Sequence, residues 1–252
     1  MIMGRKKFCI LTTQRSGSAW LKTLLNNHPK VKCFGEVFLY RGPKGGKYSD
    51  PHYLRYYDFK KRENIVRPWS VFKYMDSFFD DYPGEYEAIG FKLMYNQLFA
   101  RPEICLSLLK HKYKIIHLIR ENYLDRILSC EGQKQLSNPH PTTNVTISPI
   151  YLEPSSLVSK LNTMDFRVRS FRGILKMYFL GSMEVMYKDL CTQTDFTVDS
   201  LLKYIGCQST PTGNYSSPLK KIIKGNYKEK ILNYAEVKEV LNSSKYSKFL
   251  GN

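Results

Sequence analysis

The strongest constraint on the fold is a short apolar run that ends in a polar loop and continues directly into a helical pattern. Residues 7–12 (KFCILT) form the apolar run, which has the length of one buried strand. Polar residues follow at 13–17, and residues 18–26 (SAWLKTLLN) carry apolar side chains at helical spacing. The sequence therefore predicts a strand, a tight loop and a helix in this order.

The same order recurs further along the chain. Residues 87–94 (EAIGFKLM) read as a second strand followed by a helix at 97–109. Residues 113–119 (YKIIHLI) read as a third strand that runs into a helix at 122–133. Strands that alternate with helices pair in parallel through crossover connections. We therefore expect an α/β protein with three layers, α/β/α, around a parallel sheet.

Length and composition predict a single domain over residues 1–252. A chain of 252 residues that is 42% hydrophobic can bury a full core, and no internal repeat is visible. Helical spacing returns at residues 155–180, and residues 184–187 are a candidate last strand. The chain from residue 199 reads as short helices separated by a turn.

Two segments interrupt the alternation, one near residues 38–85 and one near 134–154. Within them, residues 41–50 (RGPKGGKYSD) are rich in Gly, Pro and Lys, and residues 136–154 contain prolines that cannot continue a helix. Segments of this kind are either loops that bind a substrate or surface linkers, and both interpretations stay open.

Charge narrows the possible ligands. The chain has 39 Lys and Arg against 22 Asp and Glu, a formal net charge of +17. Such an excess favours anionic ligands, acidic acceptors, nucleic acid or an anionic membrane surface. Its six cysteines form no CxxC pair, and its five histidines do not stand at ligand spacing with them, so we expect reduced thiols and no metal site. The apolar run at residues 8–11 is too short for a signal or spanning segment, which predicts a cytoplasmic protein.

The loop after the first predicted strand has the chemistry of an anion site. Backbone N–H groups converge where a buried strand turns into a helix, and the helix dipole adds partial positive charge. Gly17 lets the backbone approach a ligand closely, Ser16 and Ser18 offer hydroxyls, and Arg15 supplies a permanent charge. The loop lacks the Gly-Lys-Ser/Thr ending of a triphosphatase, which argues against an ATP and magnesium site.

Two motifs resemble one known family. TTQRSGSAWLKTLLNNHP, followed by Gly35-Glu36-Val37-Phe38, is similar to the 5′-phosphosulfate loop of sulfotransferases that use 3′-phosphoadenosine 5′-phosphosulfate (PAPS). IIHLIRENYLDRILS, residues 115–129, resembles their 3′-phosphate motif. The variant of the loop with arginine is most similar to that of the bacterial nodulation-factor and trehalose sulfotransferase branch. Patches at residues 90–95, 185–190 and 224–250 extend the similarity to that branch. The resemblance implies the P-loop NTPase-like sulfotransferase fold.

The resemblance also implies where the donor binds. Arg15 and the backbone amides of the next five residues would hold the 5′-phosphosulfate; these residues are Ser16, Gly17, Ser18, Ala19 and Trp20. Arg120, Ser129 and Lys224 would hold the 3′-phosphate. Independently of the family, Arg120 follows a predicted parallel strand and therefore stands at the sheet edge where open α/β folds bind ligands. The product would be adenosine 3′,5′-bisphosphate (PAP), and the transfer needs no metal.

Three residues are candidates for acceptor activation. Glu36 is favoured as the general base because the trehalose-sulfating relatives use a glutamate in a similar Gly-Glu context. His28, which follows the first predicted helix, is a competing base, although a cap or packing role is also open. Lys92, near the end of the second predicted strand, would contact the sulfuryl group or the acceptor, or is an ordinary lysine of the strand.

The resemblance does not identify the acceptor. A small-molecule or carbohydrate acceptor is expected, with candidates that include a sugar or glycolipid hydroxyl and a nitrogen or hydroxyl of a guanidinium alkaloid toxin. Two other function classes remain open: an ATP-dependent kinase of the P-loop type, and a basic nucleic-acid-binding protein that uses the lysines around residues 220–230. Nucleic acid is not the expected partner, because no recognisable reading module is present. The sequence does not indicate an oligomeric state.

Overall fold

A parallel sheet of five strands, in the order β2-β3-β1-β4-β5, forms the centre of the fold. The computed structural model describes residues 5–40, 55–80, 82–136, 140–179, 181–208, 214–222 and 225–250. The strands are β1 (Lys6–Thr12), β2 (Val31–Glu36), β3 (Ala88–Met94), β4 (Lys114–Ile119) and β5 (Met183–Met186). The helices are α1 (Ser18–Leu25), α2 (Tyr56–Glu63), α3 (Trp69–Asp80), α4 (Tyr95–Ala100), α5 (Glu103–Lys110), α6 (Tyr123–Lys134), α7 (Pro154–Tyr178), α8 (Tyr187–Thr192), α9 (Thr194–Ile205), α10 (Tyr227–Lys230) and α11 (Tyr234–Asn242), with a 3₁₀ turn at Ser247–Leu250.

Helices cover both faces of the sheet, so the fold has three layers. Alternate residues of a strand point to opposite faces. Phe8 and Ile10 of β1 join one core together with leucines of α1 and α9. Cys9 and Leu11 join a larger core that includes side chains of α3, α5, α6 and α7. The predicted α/β/α architecture is confirmed.

The four predicted strands are observed as β1, β3, β4 and β5, each within one residue of its expected limits. β2 was not predicted, because residues 31–36 (VKCFGE) are short, alternate weakly and contain a glycine. The helix expected at 97–109 was wrong as one element: α4 ends at Ala100 and α5 begins at Glu103. Pro102 causes the break, since it has no N–H and disfavours the helical conformation at Arg101, whose φ is −143° and ψ 77°.

The two interrupting segments contain more structure than their sequences indicate. The described part of the first carries α2 and α3, whose buried Tyr56, Phe59 and Tyr74 pack into the larger core. The second has no helix or strand between residues 140 and 153 and is tied to the C-terminal region, because Ile150 and Ile231 form a parallel bridge. The first segment is therefore packed into the core, and the second is anchored to the rest of the fold at Ile150.

Candidate functional site

The carboxyl ends of β1 and β4 place two distant segments side by side. These strands are paired neighbours in the sheet, so the loop after β1 and Arg120 after β4 emerge at the same edge. Arg120 donates from Nη1 to the backbone carbonyl of Arg15 at 3.3 Å. Arg15 donates from Nε to the hydroxyl of Ser129 on α6 at 3.0 Å. The structure therefore brings both sequence motifs into one site.

The backbone of the loop after β1 is turned back sharply before α1. Arg15 has φ 61° and Gly17 has φ 86°, so both lie in the left-handed region. A Cβ atom at Gly17 would lie 2.5 Å from the ring of Tyr187, which explains why this position needs glycine. No described side chain caps α1. The first N–H groups of the helix, which have no partner within it, are therefore available to an anion.

Arg120 is buried and fixed from three sides. Its Nη2 donates to Asp125 Oδ2 at 2.9 Å, and its guanidinium carbon lies 4.7 Å from the centre of the Tyr187 ring. Asp125 in turn accepts from the hydroxyl of Tyr227 at 3.0 Å. The Nε of Arg120 is buried and has no hydrogen-bond partner among the described residues. This guanidinium is held ready in one orientation, as an anion site requires.

A cavity of about 490 Å³ opens beside these two motifs. Its volume is in the range of sites for drug-sized ligands. Seven of the nine predicted donor-binding residues line it: Arg15, Gly17, Ser18, Ala19, Trp20, Arg120 and Ser129. Ser16 does not, because its buried hydroxyl is hydrogen-bonded to Thr13 at 2.9 Å. Lys224 lies outside the described residues.

The rest of the cavity wall divides into an apolar part and a basic part. Leu24, Tyr187 and Tyr215 contribute apolar and aromatic surface next to Trp20. Lys220 and Lys221 add two positive charges from the C-terminal region. A flat aromatic group and several negative charges are therefore the ligand features that this cavity matches.

Glu36 and Lys92 form a second group at the same sheet edge, on β2 and β3. The Lys92 Nζ atom lies 3.8 Å from Glu36 Oε1, and Gln97 donates to Glu36 Oε2 at 3.0 Å. Burial lowers the pKa of Lys92, and the positive charges of Lys22 and Arg15 lower it further against the opposing effect of Glu36. A hydrogen-bonded carboxylate thus lies in a region of positive potential next to the anion loop.

His28 is not part of this group. It follows α1 and precedes β2, which places it at the amino edge of the sheet, opposite the loop. Its Nδ1 accepts from the backbone N–H of Lys30 at 3.2 Å, and its Nε2 lies 2.9 Å from the carbonyl of Gln208. Both ring nitrogens therefore serve local contacts in a buried turn.

The residues of the site that the sequence analysis missed include Tyr187, Lys22 and His140. Tyr187 forms the wall against Gly17, and its position in the family-like patch at 185–190 was the available signal. Lys22 stands one helical turn after Ser18 and acts electrostatically on Lys92 and on His140. Loss of hydration at its place in the cavity and the charges of Lys92, Arg15 and Lys22 lower the pKa of His140 to about 4. Lys22 stands inside the motif that resembles the phosphosulfate loop, although nothing in the motif singled it out, and no local pattern marked His140.

The described residues contain neither a cluster of metal ligands nor a helix that could cross a membrane. No group of three His, Cys, Asp or Glu side chains in this part of the chain is placed to hold a metal ion. None of the described helices combines the length and the apolar character that a membrane crossing requires.

Comparisons with known proteins give one family. The sequence profile of the sulfotransferase domain matches residues 5–250. A sulfotransferase domain from the curacin biosynthetic pathway has a similar structure, with a TM-score of 0.51 and 11% identity over 99% of this chain and 96% of that one. Mouse sulfotransferase SULT7A1 complexed with PAP has a TM-score of 0.50 and 12% identity over 98% and 88%. At this identity the two structures show the fold. No curated protein matches the sequence.

Proposed function

The chain belongs to the sulfotransferase domain family, and from this premise we propose that it transfers a sulfuryl group from PAPS to a hydroxyl or amine of a small-molecule or carbohydrate acceptor. One observation carries the proposal: the loop after β1 and the Arg120–Ser129 segment line the same cavity. A nucleotide with anionic groups at both its 5′ and 3′ ends fits this pair of cationic sites. The mouse neighbour, which binds PAP, supports the same donor.

The proposed donor pose assigns one end of the nucleotide to each segment. Arg15 and the first N–H groups of α1 hold the 5′-phosphosulfate, where the helix dipole also favours negative charge. Arg120 and Ser129 hold the 3′-phosphate, and Lys220 and Lys221 add charge on the open side of the cavity. Lys224 stays a prediction for the same phosphate. The aromatic surface around Trp20 is suited to adenine.

The proposed chemistry is an in-line displacement at sulfur. A bond forms between sulfur and the acceptor atom while the bond from sulfur to the leaving phosphate oxygen breaks. The acceptor proton passes to Glu36, whose carboxylate is oriented by Gln97 and faces Lys92. Arg15 and the amides of α1 stabilise the charge that develops on the leaving PAP. The positioning of donor and acceptor and the stabilisation of charge therefore account for most of the rate enhancement.

The proposal is tested by ligand-dependent thermal unfolding. PAP at 100 times its dissociation constant should stabilise the protein by about 2.7 kcal/mol, a shift of several degrees. ATP with magnesium and a DNA duplex at equal concentration should shift the unfolding temperature far less. Equal protection by ATP with magnesium would restore the kinase interpretation, and no shift with PAP would remove the sulfotransferase one.

We propose that residues 1–252 act as one domain and that the segments near 38–85 and 134–154 contribute to the acceptor side. His140 belongs to the second of these segments and lines the donor cavity, which brings this segment next to the donor. The nodulation-factor and trehalose branch, and the cytoplasmic location, stay predictions from the sequence.

A further inference from the structure

Arg126 is a buried arginine for which neither sequence motif gives a role. It lies on α6 one turn before Ser129, and only 6% of its surface is exposed. Its Nε donates to the backbone carbonyl of Gln14 in the loop after β1, at 3.4 Å. Its guanidinium carbon lies 5.8 Å from the centre of the Tyr123 ring. The side chain therefore lies against the loop.

The positive charge of Arg126 has no carboxylate partner among the described residues. Burial lowers its pKa and Arg120 lowers it further, while the groups that act in the opposite direction are Cys130, Tyr95 and Tyr123. Arg120, in contrast, is equally buried and is paired with Asp125. A buried charge without a counterion destabilises the folded protein. A purely structural role does not account for arginine at this position.

The contacts around Arg126 explain what it does for the loop. The carbonyls of two successive residues, Gln14 and Arg15, accept hydrogen bonds from Arg126 and Arg120. The Arg15 side chain returns a bond to Ser129. These three bonds join α6 and the end of β4 to the one part of the loop where a residue other than glycine has a left-handed φ. Holding such a conformation requires this kind of external support.

We infer that Arg126 is a positioning residue of the donor site, which fixes the loop through the carbonyl of Gln14 and adds buried positive charge beneath the 5′-phosphosulfate. The inference rests on the proposed function and assigns a residue that it leaves out. The donor itself supplies the missing negative charge, so the cost of the buried cation is recovered when the donor binds. Arg126 therefore lowers the stability of the free protein and raises its affinity for the nucleotide.

Removing Arg126 should therefore maintain or raise the stability of the free protein and weaken PAP binding. Removing an arginine with a purely structural role would lower the stability. Arg126→Met keeps an unbranched apolar stem but removes the charge and the bond to Gln14. We expect the free variant to unfold at the wild-type temperature or above, and to bind PAP at least ~10-fold more weakly. Arg126→Lys, which keeps the charge and can still donate to the Gln14 carbonyl, should recover part of the affinity. Calorimetric titration and thermal unfolding measure the two quantities.

The control is Lys134→Met, an identical change of charge on the same helix. Lys134 is exposed and paired with Glu131, away from the loop. The affinity of the Lys134→Met variant for PAP should stay within about twofold of the wild-type affinity. A second comparison uses adenosine 3′-monophosphate, which lacks the 5′ group. Its affinity should be nearly unchanged by Arg126→Met, because the loop receives the 5′ end.

Each outcome decides the question. A free Arg126→Met protein that is clearly less stable than wild type, or does not fold, overturns the inference in favour of a packing role. Unchanged PAP affinity also overturns it, as does an equal loss for PAP and for adenosine 3′-monophosphate. A wild-type protein that does not bind PAP removes the proposed function first, and this inference with it.

Discussion

Glu36 owes its proposed role to its two neighbours. Gln97 holds one carboxylate oxygen at 3.0 Å and is itself fixed, because its Oε1 accepts from the backbone N–H of Met94 at 3.1 Å. Lys92 faces the other oxygen at 3.8 Å, a distance that leaves room for an acceptor atom to compete for the same oxygen. The Glu36 carboxylate is therefore held in one orientation, but it does not form a tight ion pair that would block it from accepting a proton.

Replacing this carboxylate should separate turnover from donor binding. Glu36→Gln keeps the shape of the side chain but cannot take up a proton, so we expect kcat to fall by about 10²–10⁴. The affinity for PAP should stay unchanged, because Glu36 does not line the donor cavity. Transfer from labelled PAPS to acceptors found by screening measures turnover, and calorimetry measures binding.

Glu87→Gln is the matched control for this change. Glu87 is an exposed glutamate at the amino edge of the sheet, paired with Lys30 at 2.7 Å. It should keep wild-type turnover. If Glu36→Gln transfers sulfate at the wild-type rate, another residue is the base, and His140 in the cavity wall is then the residue to replace next.

Gly17 tests how closely the loop must pack against Tyr187. Gly17→Ala would put a methyl group 2.5 Å from the Tyr187 ring at a φ of 86°, so either the ring or the loop must move. We expect a loss of about 1–3 kcal/mol in the free energy of unfolding. PAP affinity should fall at least tenfold, because Tyr187 and the start of α1 both line the cavity. Thermal unfolding and calorimetric titration report the two effects.

Gly173→Ala supplies the contrast for this substitution. Gly173 lies within α7, and a Cβ atom there meets nothing within 4 Å. Alanine should stabilise the helix by up to about 1 kcal/mol and leave PAP binding unchanged. Equal behaviour of the two alanine variants would contradict the close packing of the loop.

Four elements meet at His117, which joins the sheet to α7. Its ring accepts or donates at Nε2 with the hydroxyl of Tyr95, which follows β3, at 2.5 Å. Its Nδ1 lies 3.5 Å from Glu184 of β5, and Glu184 is held by Arg172 of α7 at 2.7 Å. Burial lowers the pKa of His117 to about 4; Glu184 opposes this shift and Arg172 adds to it. The folded protein therefore keeps this imidazole neutral.

This neutral histidine predicts a loss of stability in acid. Below pH 6.5 His117 becomes protonated in the unfolded chain, whereas in the folded protein it stays neutral until about pH 4. The contribution of His117 is thus fully present above pH 6.5 and decreases as the pH falls towards 4, by roughly 3 kcal/mol in all. Denaturant unfolding of wild type and His117→Gln, at intervals from pH 7 to 4, isolates this effect. Parallel curves for the two proteins would exclude His117 as its source.

Local patterns in the sequence were sufficient for the elements whose residues face a core on a regular period. The buried runs of β1, β3 and β4 and the long amphipathic α7 belong to this group. The strand β2 does not, because among the described strands it pairs with β3 alone, at the edge of the sheet. Its identity as a strand depends on a neighbour that lies more than fifty residues away in the chain.

The same division holds for the site. Arg15, Gly17 and Arg120 stand at strand ends, so their meeting at one edge follows from parallel pairing once the strands are identified. Tyr187 and Arg126 belong to the site only through packing across the sheet edge. Such contacts leave no periodic signal in the residues around them, which is why the sequence did not give them a role.

The net charge of +17 attracts anions to the protein without distinguishing one anion from another. The 39 basic residues give a field that raises the local concentration of any polyanion. The cavity adds a specific arrangement, since a buried guanidinium at Arg120 is held by Asp125 and Tyr187. Surface attraction is screened by salt, whereas buried contacts are screened much less. Salt therefore separates the general effect from the specific one.

Arg120→Ala should abolish the specific binding of PAP in the cavity and leave the general attraction of polyanions to the surface unchanged. The variant should bind PAP at least ~100-fold more weakly, because charge-assisted hydrogen bonds contribute about 1.5–3 kcal/mol each. Its affinity for a DNA duplex should stay close to wild type, since one basic residue of 39 is removed. Duplex affinity should fall steeply between 50 and 200 mM salt in both proteins, by ~10³ or more if several phosphates are contacted. The affinity of the wild type for PAP should fall much less.

Arg62→Ala, a change at an exposed arginine, serves as the control and should retain both affinities. A duplex that binds wild type tightly at 200 mM salt and loses that affinity with Arg120→Ala would show that the cavity serves nucleic acid instead.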